Sequence, residues 1–189
     1  ASYLQRLRDM ETRKFKAKKE IEEKQHTLVI NRLDTLETSF DEFFLHLSNA
    51  LNALQEFLSY DNHSTDIKNF KKEYYWPIAQ NNPGLLAKAW YFRDDELTFM
   101  TKNVLELAQK VVRGFDKLVT AAESQDAANA FIELGEETKS LNYAISSVRA
   151  DLYVVLDNLR AKSHLIFENI SDKAHGIKIT RELLEKREN

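Results

Sequence analysis

Apolar residues recur every three or four positions through the C-terminal half of the chain. A mean spacing of about 3.5 residues places such side chains on one stripe of an α-helix, as lengthwise helix packing requires. The pattern therefore predicts a long helix from near Ser124, a candidate cap, to about Ile170, interrupted in its stripe at Thr138 and Lys162. The stripe comprises Ala127, Phe131, Leu134, Leu141, Ile145, Val148, Leu152, Val155, Leu159 and Ile166.

A second series with the same spacing predicts the first helix of a bundle. Ile30, Phe44, Leu51 and Leu58 widen its stripe, which indicates contact with more than one partner helix. A polar cluster at residues 59–64 predicts the loop that follows. The series comprises His26, Val29, Leu33, Leu36, Phe40, Phe43, Leu47, Ala50, Leu54 and Phe57.

Two further helices are predicted between these series. The first follows a cap at Ser64, Thr65 or Asp66, and we expect Pro77 to kink it and residues 81–84, Asn-Asn-Pro-Gly, to interrupt it. The next helix begins at a cap formed by Asp94 or Asp95. Its inward residues are Leu97, Met100, Val104, Leu107, Val111, Phe115, Leu118 and Ala122.

These elements predict an all-α fold, an elongated antiparallel four-helix bundle of up-down-up-down topology with heptad-like packing. Its second helix is interrupted near Pro77 to Gly84. We expect three regions: a charged helical extension over residues 1–25, the bundle over 26–170 and a short amphipathic tail over 171–189. The alternative is a three-helix bundle in which residues 1–60 form one helix and residues 64–92 form an elaborate connection.

Composition supports an all-helical chain and argues against an enzyme. The 189 residues include four glycines, two prolines and no cysteine, so the turn residues of sheets and phosphate-binding loops are scarce. No Gly-rich loop, Gly-x-Ser-x-Gly or His-Glu-x-x-His motif occurs. We therefore predict no catalytic residues and no cofactor. The chain has neither a signal-peptide pattern nor an apolar run long enough to span a bilayer, which favours the cytoplasm.

Two carboxylate–histidine pairs are candidate metal ligands. Glu42 with His46 and His164 with Glu168 lie one helical turn apart. Di-iron bundles instead use Glu-x-x-His with further inward glutamates. We therefore predict no metal site, and interpret both pairs as hydrogen-bonded groups on the flank of the bundle.

A short basic run is the first candidate interaction site. It could bind the phosphates of anionic lipids or nucleic acid. The favoured interpretation is a solvated helix face paired with Glu20, Glu22 and Glu23, and the net charge of −3 argues against sequence-specific nucleic-acid binding. The run comprises Arg13, Lys14, Lys16, Lys18 and Lys19.

Aromatic residues on both sides of the predicted interruption form the second candidate site. If the chain folds back there, the rings adjoin and form a recognition patch or a small-molecule pocket. The alternative is a local core that stabilises an irregular segment. The residues are Tyr74, Tyr75, Trp76, Trp90, Tyr91 and Phe92.

The sequence favours a non-enzymatic interaction or scaffold module that associates through its helices with a protein partner or with itself, as a coiled-coil oligomer. The residues expected to dock are Tyr3, Leu7, Met10, Phe15, Ala17 and Ile21 near the N-terminus, with Leu183 and Leu184 in the tail. Two alternatives remain open. One is a ligand-sensing bundle of a membrane-linked receptor, and the other is a peripheral binder of anionic membranes through the basic end.

Overall fold

The computed structural model describes residues 2–59 and 67–166, and within these ranges the chain is an all-α helical bundle without strands. A helical turn at 163–166 follows the last long helix. The prediction of an all-α bundle is confirmed. The helices are α1 (Tyr3–Ser59), α2 (Ile67–Trp90), α3 (Asp95–Ala122) and α4 (Ala127–Ala161).

The chain divides into two compact units, and the larger, Leu36–Leu156, holds the main core. Within it α1 and α2 are antiparallel. Phe57 near the end of α1 packs on Phe70 near the start of α2, with ring centroids 5.1 Å apart. Conversely, Ser39 accepts a hydrogen bond from Lys88 near the end of α2, with 2.7 Å between Oγ and Nζ.

In the same unit α4 also runs antiparallel to α1. The Tyr153 hydroxyl donates to Asp41, and the Arg149 guanidinium lies 5.6 Å from the ring centroid of Phe44. Later residues of α1 thus meet earlier residues of α4. The apolar side chains buried between the four helices include Phe40, Phe43, Phe44, Leu47, Leu51, Leu54, Ile78, Leu85, Leu97, Val104, Val111, Phe115, Leu118, Leu134, Ile145, Leu152 and Leu156.

Leu134, Ile145, Leu152 and Val155 of the predicted α4 stripe are buried in this core, and the first interruption of the stripe has a local explanation. Thr138 is only 1% exposed, and its hydroxyl donates to the carbonyl of Leu134 across 2.7 Å. A threonine can occupy a buried position when its hydroxyl bonds back to the preceding turn. The polar residue therefore leaves the packing of the helix intact.

The smaller unit contains residues 1–35 and 157–189, of which 2–35 and 157–166 are described. Here the end of α4 contacts α1. Arg160 Nη2 lies 3.2 Å from Asp34 Oδ1, and Ser163 Oγ lies 2.5 Å from His26 Nδ1. Ser163, the residue after Lys162, is fully buried. Ser163 therefore takes the inward position at the point where Lys162 interrupts the predicted apolar stripe.

The predicted interruption of the second helix is wrong, since α2 is continuous from Ile67 to Trp90. A proline inside a helix removes one backbone hydrogen bond and costs about 3 kcal/mol. Ile78 and Leu85 are 0% and 3% exposed, and burying each contributes about 1.5–3 kcal/mol. Because α2 contains both Pro77 and Pro83, this burial offsets part of their combined cost.

The first helix is longer than the four-helix prediction allowed. It is 57 residues long and includes residues 3–25, as the three-helix alternative proposed for this segment. The same alternative is wrong about residues 64–92, because α2 is a helix. The division at residues 25 and 170 remains a prediction, and the tail at 171–189 lies outside the described residues.

The two predicted helix caps have different outcomes. Asp94 caps α3, with its carboxylate accepting from the amide of Leu97 across 2.8 Å. Ser124 does not cap α4, because its hydroxyl accepts from the amide of Asp126, one residue before the helix begins. The caps predicted for α2 at Ser64, Thr65 and Asp66 lie outside the described residues.

Candidate docking surface

The N-terminal part of α1 presents helix surface without a buried side chain. From residue 3 to residue 28 all positions are exposed except Leu7 and Gln25, which are half-buried. Burial begins abruptly at Val29, which is 0% exposed. The segment remains helical because it extends a helix already nucleated by packing, and because Leu, Lys, Arg, Glu and Gln dominate it.

Six apolar side chains of this segment form one narrow stripe, whereas Leu4 lies outside it. At about 100° per residue they fall within an arc of about 80°. Met10, Ile21 and Leu28 are 47%, 55% and 44% exposed. Phe15 is 70% exposed but lies outside the arc. We call this surface the α1 stripe, and it comprises Tyr3, Leu7, Met10, Ala17, Ile21 and Leu28.

The α1 stripe points away from α4 within the smaller unit. His26 marks the side of α1 that meets α4, through its contact with Ser163. Leu28 is two residues further on and therefore lies about 160° from His26 around the helix. The described part of α4 consequently does not cover the stripe.

The predicted basic run surrounds the helix instead of forming a face. Its five cations are all exposed and point in five different directions around the helix axis. Neighbouring directions are at most about 100° apart. Lys18 Nζ lies 3.9 Å from Glu22 Oε1, one of the expected pairs at i, i+4. A pair this exposed contributes little to stability. The residues are Arg13, Lys14, Lys16, Lys18 and Lys19.

The first aromatic triplet is divided between the core and the surface. Tyr74 packs against Phe70 and Phe115, with ring centroids 5.2 and 6.2 Å away. Tyr75 meets Trp76 edge-on at 5.7 Å, and Trp76 is 54% exposed. Burial, and then the neighbouring carboxylates of α2 and α1, raise the pKa of Tyr74, so its phenol stays neutral over a wider pH range.

The second triplet lies at the other end of α2. Phe92 is in the core, Tyr91 meets it edge-on, and Trp90 is exposed beneath the guanidinium of Arg93, 4.6 Å from the ring centroid. Arg93 has a φ of 53°, the left-handed conformation typical of residues just past a helix end. Trp76 and Trp90 are about 21 Å apart along α2. The expected single patch is therefore not formed, because α2 does not fold back.

An open groove between α3 and α4, of about 880 Å³, was not anticipated from the sequence. Its α3 wall carries Lys110, Arg113 and Lys117, and its α4 wall carries Glu133, Glu136 and Glu137. Lys117 Nζ lies 2.6 Å from Glu137 Oε2. The signal in the sequence that could have indicated this groove is the helical spacing of basic residues on α3 and of acidic residues on α4. Because the charges compensate each other, the groove selects neither anions nor cations.

The described residues offer no metal centre and no membrane span. No group of three or more His, Asp or Glu side chains within 2–59 and 67–166 is arranged to hold a metal ion. Over the same ranges, no helix combines the length and the apolar character that crossing a bilayer requires. His46 is half-buried beside the exposed Glu42, and Glu168 lies outside the described residues.

Comparison with known proteins adds no family to these observations. No family model, curated protein or solved structure matches the chain.

Proposed function

We propose that this protein is a non-enzymatic helical interaction module whose docking element is the α1 stripe. Its mechanism is association of helices, in which another helix packs along residues 3–28 of α1 and buries the stripe. The rest of the bundle serves as the scaffold that presents this helix. Its partner is a protein.

One observation carries the proposal: an ordered apolar stripe is exposed on the side of α1 opposite α4. Full burial of a Leu, Ile or Met side chain contributes about 1.5–3 kcal/mol. Met10 and Ile21 are about half exposed and do not receive that contribution from the described chain. Contiguous exposed apolar surface bordered by charged residues is typical of interaction sites.

The charges around the stripe support a protein partner over a flat anionic membrane. A planar surface contacts one side of a helix, whereas the five cations at residues 13–19 extend to all sides. Only some of them could face lipid phosphates together. A partner helix, by contrast, needs only the narrow apolar arc and the charges on either side of it.

Position-specific photocrosslinking in the cells that make the protein tests this proposal. A photoreactive amino acid at Met10 lies in the α1 stripe, and the same residue at Thr12 lies about 160° from Met10 around the exposed helix. We expect protein adducts from Met10 and a several-fold lower yield from Thr12. Equal yields at both positions, or none at Met10, would refute the docking surface.

A further inference from the structure

The heptad positions of the α1 stripe identify a specific occupant. Leu7, Lys14, Ile21 and Leu28 occupy one core position of successive heptads, and Tyr3, Met10, Ala17 and Lys24 occupy the other. We propose that a second copy of this chain covers the stripe, with the two α1 segments antiparallel about a two-fold axis. This inference rests on the proposed function and names the partner.

Lys14 and Lys24, which occupy the same heptad core positions as the stripe residues, decide the orientation. In a parallel, in-register pair Lys14 meets the partner's Lys14, and Lys24 meets its own counterpart in the same way. Like charges facing each other in an apolar seam oppose association. In the antiparallel register Lys14 instead meets the partner's Ala17, where a small side chain leaves room for the long stem to reach solvent.

The same antiparallel register pairs four of the five large apolar side chains with one another, and Leu7 meets the stem of the partner's Lys24. Met10 packs on the partner's Ile21, and Tyr3 packs on the partner's Leu28. Because the axis is two-fold, each contact occurs twice. All four side chains are at least 44% exposed in the single chain, so the pairing would bury apolar surface that is otherwise in water.

Charges on the flanks of the stripe also favour this register. Glu11 lies beside the partner's Lys18 on one flank, and Arg13 lies beside the partner's Glu20 on the other. A parallel arrangement would instead set Arg13 beside the partner's Lys18. The antiparallel register therefore has opposite charges on both flanks, again repeated by the two-fold axis.

The proposed contact is compatible with the existing contact between α1 and α4. His26, which meets Ser163 of α4, occupies the heptad position directly opposite the seam. A second copy can thus cover the stripe without displacing the described part of α4. The association requires no rearrangement of the described residues of the smaller unit.

Disulfide trapping in the full chain tests the orientation, because the natural sequence has no cysteine to interfere. Met10→Cys and Ile21→Cys chains are prepared separately, mixed and oxidised. Disulfides need Cα atoms about 4.4–6.8 Å apart. We expect the mixture to form a cross-linked dimer containing one chain of each kind, identified by intact mass. Each variant alone should link at least fivefold less, because equal positions are about 16 Å apart in the antiparallel register.

A matched control and the contrary outcomes complete the test. Thr12→Cys mixed with Ile21→Cys should give no more cross-linking than either variant alone, since Thr12 faces away from the seam. Efficient linking of Ile21→Cys to itself would mean a parallel pair and overturn the inference. Failure of every mixture to link, with a monomeric mass by light scattering, would also overturn it. Adducts of Met10 with a different protein would then leave the proposed function standing.

Discussion

The two parts of α1 show that heptad spacing and burial are separate properties. From Val29 to Phe57 the apolar residues of the predicted heptad series are at most 8% exposed, whereas from Tyr3 to Leu28 the large apolar side chains of the same helix are mostly in water. Both parts have the spacing of a packing helix. Periodicity therefore indicates that a helix has an apolar face, and the tertiary structure determines whether that face is covered.

The two apolar faces of α1 also point in different directions. Leu28 ends the α1 stripe and Val29 begins the buried series, and adjacent residues lie about 100° apart around a helix. The stripe and the buried series that begins at Val29 are thus separate faces of α1. The stripe is a distinct surface on the same helix, as expected for a face used in a separate association.

The largest expected difference between the two parts is in stability. Phe40→Ala or Leu152→Ala should lower the free energy of unfolding by about 2–5 kcal/mol, because both side chains are fully buried and their removal leaves a cavity. Ile21→Ala should lower it by less than about 0.5 kcal/mol in dilute solution, since that side chain is exposed. Urea denaturation measures all three. Losses below about 0.5 kcal/mol for both Phe40→Ala and Leu152→Ala would show that the core is misassigned.

The second largest expected effect is on the dissociation constant of self-association. Ile21→Glu places a charge in the α1 stripe, and we expect it to weaken self-association at least tenfold, about 1.4 kcal/mol. Thr12→Glu adds the same charge on the opposite side of the helix and should change the dissociation constant by less than about threefold, within the small effect of an exposed charge. Light scattering over a range of protein concentrations compares them. Equal weakening by both variants would indicate a general charge effect.

Local signals in the sequence predicted those features of the fold that local interactions determine. The cap at Asp94 depends on one carboxylate and a nearby amide, so the residue pattern suffices to identify it. The continuity of α2 could not be foreseen, because it depends on burial of Ile78 by other helices, which offsets part of the cost of Pro77 and Pro83.

The candidate site was predictable only in part for a similar reason. The spacing of Tyr3, Leu7, Met10 and Ile21 was sufficient to predict that they share one face of a helix. Their direction relative to α4 could not be predicted, because it requires knowing which side of α1 bears the contact of His26. Phe15 is an apolar residue of the same predicted helix, but its position around α1 lies outside the stripe.

A smaller effect measures helix propensity at an exposed position without neighbouring side chains, the kind of local contribution that also favours helix over residues 3–28. Gly84 lies inside α2, is exposed, and has no neighbouring atom within 4 Å of an added Cβ. Gly84→Ala should raise the free energy of unfolding by about 1 kcal/mol through helix propensity alone. At Gly114 the added Cβ would lie 3.4 Å from Leu54 Cδ1, so packing also contributes there. Thermal unfolding of Gly84→Ala and Gly114→Ala separates the contribution of helix propensity from that of packing. A loss of stability in Gly84→Ala would contradict the expected gain from helix propensity.

The smallest expected effect lies in the packed part of α1, where Tyr153 of α4 donates a hydrogen bond to Asp41. Burial first, and then this hydrogen bond, raise the pKa of Tyr153 above its ordinary value of 10.0. A raised pKa means that the folded state holds the proton more tightly, so the stabilisation is complete below about pH 10 and is lost as the pH rises through the folded pKa. The group is only partly buried, so we expect a modest fall in the free energy of unfolding above about pH 10. Urea titrations between about pH 8 and 11 should show a shallower fall in Tyr153→Phe, whereas identical profiles would mean that this contact does not link α1 to α4 energetically.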